Sequence, residues 1–259
     1  MTAARVIPSS GPGRIVARCV DGRTVLAEAH ATSPLRFLQT RFPADLASAA
    51  VCLVTFGGGL VDGDRVDTLI EVERGATLLV FTQSTTKVFR GAASQSIRAK
   101  VEGRLVLLPD PVAAFKDASY TQRVEVDLSA TGSCLLLDGF TSGRAAFGER
   151  WAMRALDLRT TIRENGRVIA DDALRLDPTD AGGYEAFLTL LSVRCPLDLG
   201  PPRPPTRELA EATGRLERTS DGGVVRIAAS SPAAAMVAAR SRLRNLPDID
   251  IVDPFASRY

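Results

Sequence analysis

Residues Val54 to Arg90 read VTFGGGLVDGDRVDTLIEVERGATLLVFTQSTTKVFR. A phosphate-binding loop would run its glycines into a helix N-terminus and supply a lysine, so that backbone N–H groups and an ammonium face the phosphates. Here GGGLVDGDRV carries no lysine and leads into an alternating apolar/polar run, RVDTLIEV, the signature of a half-buried strand. Gly57, Gly58, Gly59 and Gly63 therefore read as structural turns. The Arg74-Gly75 turn then reverses the chain into TLLVFT, a second strand with a more continuous apolar run.

The same grammar recurs outward from this stretch. An alternating strand, a turn near Gly103, Gly132 or Gly166 and a second strand follow one another in IRAKVEGRLVLLPD, RVEVDLSATGSCLLLD and LRTTIRENGRVIADDALRL. Counted from Gly75, these glycines return about every 30 residues, a period found in solenoid repeats. Upstream, Asp21-Gly22 offers the positive φ angles of a tight hairpin between two further strands. The chain reads as one all-β domain, strand-rich over 14–200, either a β-helix-like stack or a β-sandwich. A helical C-terminal part is expected over about 206–246, with two short α-helices. Thr206 would cap RELAEATGRL, and Ser231 followed by Pro232 opens PAAAMVAARSRLRNL, which stops at Pro247.

Composition narrows the function classes. The 259 residues carry 32 basic and 30 acidic side chains with no concentrated basic stripe, which argues against a nucleic-acid partner. No apolar run approaches a membrane span or a signal-peptide core, so a cytoplasmic protein without a membrane partner is expected. Cys19, Cys52, Cys134 and Cys195 form no CxxC pair and read as reduced and mostly buried, and His30 is the single histidine. A tight metal site wants several such ligands, so none is expected.

Few side chains suggest covalent chemistry. Asp62 and Asp64 could serve as the paired carboxylates of a glycosidase on a β-helix, but two acids on a glycine-rich turn are commonly turn formers. Ser84, Thr85 and Thr86 offer hydroxyls beside Lys87, yet no GxSxG elbow surrounds them. Asp138 ends a strongly apolar strand, with Arg144 and Glu149 in the glycine-punctuated loop beyond. An acid so placed is expected to pair, with Arg144 for instance, or to face an internal polar channel.

In combination, GGGLVDGDRV, GATLLVFTQSTTKVFR, LLPDPVAAFKDASYTQR and CLLLDGFTSGRAAFGERW, in this order and spacing, resemble the UreD (UreH) family of urease accessory proteins. The similarity runs from about Ser33 to Leu176, more loosely to the C-terminus. It implies a largely β-helical, non-enzymatic scaffold that inserts nickel into apo-urease. Such a scaffold contacts UreF directly and the GTPase UreG through UreF, and its accessory complex can be a homodimer. No tightly bound cofactor is implied; Ni2+ would be in transit through an internal, water-filled tunnel. The positions matching that path are Ser84, Thr85, Asp138, Glu149 and Asp172, the last standing where many members have glutamate. The family's use of its C-terminal region for UreF makes Met236, Val237, Leu243 and Leu246 the expected partner interface. Two rival readings are a carbohydrate-active β-helix enzyme using Asp62 and Asp64, or Asp138 and Glu149, and a metal-independent β-sandwich binding module.

Overall fold

The computed structural model describes residues 10–40, 46–176, 181, 183–219 and 221–256; the N-terminal nine residues, read above for an apolar run, lie outside it. The opening hairpin pairs β1 (Ser10–Val20) with β2 (Arg23–Ala31) across Asp21-Gly22, and a second hairpin pairs β3 (Leu35–Thr40) with β4 (Ala49–Thr55). From there the chain winds. After a single 3-10 turn at Phe56–Gly58, β5 (Arg65–Val72) lies in one sheet and β6 (Thr77–Thr82) in the other. Past the short β7 (Lys87–Val88), β8 (Gly91–Val101) returns to the first sheet and β9 (Arg104–Leu108) to the second. After β10 (Val112–Ala114), β11 (Ala118–Leu128) and β12 (Ser133–Thr141) repeat the step. A small hairpin, β13 (Gly143–Arg144) with β14 (Glu149–Arg150), leads to β15 (Ala155–Glu164).

The winding strands run parallel within each sheet: β5, β8, β11 and β15 in one, β4, β6, β9 and β12 in the other. Thr77 lies beside Arg104 and Arg104 beside Ser133, so successive rungs add 27 and 29 residues, the spacing of the turn glycines. The glycines are needed for close approach: a Cβ on Gly103 would run into the Ala76 carbonyl of the preceding rung, and one on Gly132 into that of Val101. Parallel strands that alternate between two facing sheets are the winding of a β-helix; antiparallel strands flank it. β16 (Arg167–Arg175) closes the first sheet, and β17 (Ala186–Val193), β19 (Gly222–Ala229) and β18 (Leu209–Arg215) extend the second.

The contrast between alternating and continuous apolar strands has a structural cause. In β5 every second residue is buried, because the outer face of its sheet meets solvent. Strands of the second sheet are covered on both faces. Leu78, Val80, Leu105, Leu107 and Leu136 point into the core between the sheets, whereas Leu79, Val106, Leu108, Leu135 and Leu137 point into a second core beneath α1 (Pro232–Ser241). As expected, Ser231 caps α1 by accepting from the Ala234 N–H at 3.1 Å, and Pro232 occupies its first turn. A short 3-10 turn at Leu246–Ile249 follows.

The first of the two expected C-terminal helices is corrected. Leu209–Arg215 is the edge strand β18, paired antiparallel to β19 from Leu209 beside Ala229 to Arg215 beside Gly223. Its helix formers have only a weak intrinsic preference, and the ladder offered by β19 overrides it.

Candidate functional site

A polar seam crosses the apolar core along the axis of the winding. On the second sheet Asp138 is paired with Thr189 and Thr189 with Arg226, forming a row across β12, β17 and β19. Facing it on the first sheet, Gln95 neighbours Gln122, and two residues farther along the strands Thr160 neighbours Asp172. The Asp138 carboxylate accepts from the Gln122 amide at 2.8 Å, its neighbour's Gly139 N–H at 2.8 Å and the Thr160 hydroxyl at 3.1 Å. The Tyr120 hydroxyl sits 3.1 Å and 3.0 Å from the amide oxygens of Gln95 and Gln122 and can donate to either. Farther along, the Thr82 hydroxyl donates to Asp110 at 2.8 Å and accepts from the Asp110 N–H at 2.8 Å.

Three cavities follow the seam. The outermost, about 170 Å3, is lined by Ser84, Thr85, Thr86, Thr82 and Gln95 among others. It shares Thr82, Thr86 and Gln95 with an internal cavity of about 20 Å3 that reaches Gln122 and Asp138. That cavity shares Asp138 and Gly139 with a third, of about 10 Å3, bounded by Thr189, Leu174 and Asp172. Each inner cavity has room for about one water. At the far end Arg226 forms an ion pair with Asp172, whose side chain is 15% exposed.

Burial pushes the Asp138 carboxyl up to about 6, against the pull of the Thr160, Gly139 and Gln122 hydrogen bonds, and Asp172 adds to the rise. Burial likewise pushes the Tyr120 phenol well above its ordinary value, with Asp138 adding to it, so the phenol stays protonated. The seam therefore offers oxygen donors: carboxylates, hydroxyls and amide carbonyls. Such groups suit a divalent cation held weakly through retained water rather than a thiolate cage. Cys134 and Cys195 are buried free thiols, both pushed up by desolvation, and among the described residues no group of three or more His, Cys, Asp or Glu could hold a metal ion.

The expected site residues divide. Ser84 and Thr85 line the outer mouth, Asp138 the two inner cavities and Asp172 the far end. Glu149 lies elsewhere: it grips Arg144 in a two-pronged ion pair, at 2.8 Å and 2.7 Å, beside a separate groove. This also corrects the expected Asp138–Arg144 pairing, because Arg144 is committed to Glu149 and Asp138 to uncharged donors. Since Asp138 and Glu149 line different cavities, the carboxylate pair of the polysaccharide reading is not assembled. Asp62 and Asp64 serve turns, accepting from the Ala92 and Val61 N–H groups, each at 2.8 Å. At the four glycines expected in turns, φ is 77° at Gly57 and Gly58, 156° at Gly59 and 85° at Gly63. A Cβ on Gly59 would also strike the Lys87 carbonyl.

The partner-interface expectation is corrected for three of its four residues. Met236, Leu243 and Leu246 are buried against the second sheet, and Val237, 53% exposed, alone of the four faces solvent. Gln95, Tyr120, Gln122, Thr160, Thr189 and Arg226 belong to the seam and went unnoticed in the sequence. Their signal is a polar residue in the inward register of a strand, visible only once the register is known.

Comparison with known proteins points one way. Residues 9–248 match the family described as UreD urease accessory protein. A urease accessory protein UreD of Sorangium cellulosum is 37% identical over 99% of this chain and 86% of its own length, and one of Anaeromyxobacter is 33% identical over 95% and 89%. The urease accessory protein D of Arabidopsis thaliana is 35% identical over 54% of this chain and 50% of its own. The four motifs, the wound β architecture and these matches agree, and the chain belongs to the UreD family of urease accessory proteins.

Proposed function

We propose that this chain is a non-enzymatic cytoplasmic scaffold for urease maturation, joining UreF, and through it UreG, to apo-urease, and that its seam conducts Ni2+ as cargo. The observation that carries the conduit is the line of three cavities sharing Thr82, Thr86, Gln95, Asp138 and Gly139, with oxygen donors along a core that is otherwise apolar. A conduit must release what it binds, and hydrated carboxylates and hydroxyls do so more readily than thiolates. Asp138 is the pivotal group, the one carboxylate common to both inner cavities.

The test is reconstitution with UreF, UreG and apo-urease from the same source, comparing the native chain with Asp138→Asn and Asp138→Lys. Co-elution with UreF should persist in both variants, while nickel loading of urease falls, more for the lysine. Loss of the UreF complex would make Asp138 a structural residue, and full loading by both variants would remove the conduit.

A further inference from the structure

The corners of the winding opposite the Gly75, Gly103 and Gly132 turns stack on one another. Leu60 bridges to Val88, the Phe89 N–H donates to the Leu60 carbonyl at 2.8 Å, the Phe115 N–H donates to Val88 at 2.9 Å, and β10 pairs with β7. The stack brings side chains from four corners to one groove of about 440 Å3, well apart in sequence and distinct from the seam cavities. Its floor is aromatic: Phe89 and Phe115 meet edge to face with centroids 5.4 Å apart. The Arg144 guanidinium stands 4.6 Å from the Phe115 ring and 5.5 Å from that of Phe147, and Glu149 fixes it there. Phe147 itself, at the tip of the β13–β14 hairpin, is 77% exposed.

Burying a phenylalanine ring takes apolar surface out of water, so a ring held open by a cation–π clamp is a ready contact. Aromatic side chains beside arginine are the composition of interface hot spots. The charges around the groove are uneven. Asp117 faces both Arg90, at 2.9 Å, and Arg154, at 4.0 Å; Glu149 is taken by Arg144, and one Asp62 oxygen by a backbone N–H. Lys116 is exposed and forms no ion pair among the described residues. Counting Arg154 beside it, four cations stand against the three carboxylates of the groove, an excess of one centred on Lys116, which suits a segment with isolated carboxylates better than a polyphosphate.

We propose that this groove docks a protein segment that lays an aromatic or large aliphatic side chain on Phe89, Phe115 and Phe147 and sets flanking carboxylates against Lys116, Arg90 and Arg154. The occupant is an acidic, aromatic-bearing surface segment of a partner in the assembly. The groove does not depend on the conduit, but its test uses the partner set of the functional reading above.

A benzophenone photo-cross-linker is placed at position 147 of the full chain, and for comparison at the exposed Val25 on β2, in mixtures with purified UreF, UreG and apo-urease from the same source; co-elution is scored separately. The expected result is a cross-link from position 147, absent from position 25, to a partner segment carrying an aromatic or aliphatic residue among carboxylates. Its yield should fall by roughly fivefold when Lys116→Glu and Arg154→Glu are combined. Co-elution without a cross-link from 147, or a cross-link to a basic segment or to a second copy of this chain, overturns the groove and leaves the scaffold reading standing. Failure of any complex to form overturns both.

Discussion

The Asp138 carboxylate accepts from Gln122, Thr160 and Gly139, and still burial keeps its proton on to about pH 6. The folded protein thus binds this proton more tightly than the unfolded chain, so stability falls as pH rises through the window between the ordinary carboxylate value and about 6. Asparagine is isosteric, keeps an acceptor for Gln122 and Gly139 and never ionises. Urea unfolding should therefore show Asp138→Asn equal to the native chain near pH 4 and more stable by on the order of 2 kcal/mol at pH 8. A pH-independent difference would mean that Asp138 ionises as freely as an exposed acid. Near neutral pH that proton has largely left, so under the proposed conduit an arriving divalent ion meets a carboxylate that need not first be deprotonated.

Strand β19 supplies Arg226 and strand β16 supplies Asp172, and their ion pair closes the far end of the seam between the two sheets. Arg226 is 58% exposed, so the pair contributes at most about 1 kcal/mol, weak enough for thermal opening. In a Cys19→Ser background, a Thr189→Cys thiol at that end should react with a small cationic reagent roughly fivefold faster once Arg226→Ala is added. An unchanged rate would show that backbone packing, not Arg226, shuts the end. This closure was illegible in the sequence. Asp172 could be singled out from DDALRL, but its partner lies more than fifty positions away on a strand whose pairing no local pattern specifies. Gln122 was hidden for a related reason: within TQR its neighbours are polar too, and only pairing with β8 and β15 turns it inward.

For the molecule as a whole, the wound core was legible because its periodicity is repeated: alternating strands for the solvated sheet, continuous ones for the sheet covered twice, with glycines where rungs approach closely. The C-terminal cover was legible only in α1, whose cap and proline are local signals. β18 was misread as a helix because its conformation comes from long-range contacts, and one of these is testable. Arg242, at the end of α1 and 6% exposed, reaches Glu211 of β18 at 2.8 Å, whose side chain is fully buried, and donates to the carbonyls of Asp198, Gly200 and Pro201. Among the described residues, one Glu211 oxygen and the Arg242 Nε have no partner, so the pair is incompletely satisfied there. Removing one member should be far worse than removing both, because a lone buried charge keeps its desolvation cost without its attraction. Arg242→Met should lower stability in urea by about 3–5 kcal/mol, and adding Glu211→Leu should recover most of the loss. A double variant no more stable than the single one would mean that the arginine's hold on the 198–201 carbonyls, rather than its charge, fastens the edge strand to the helix.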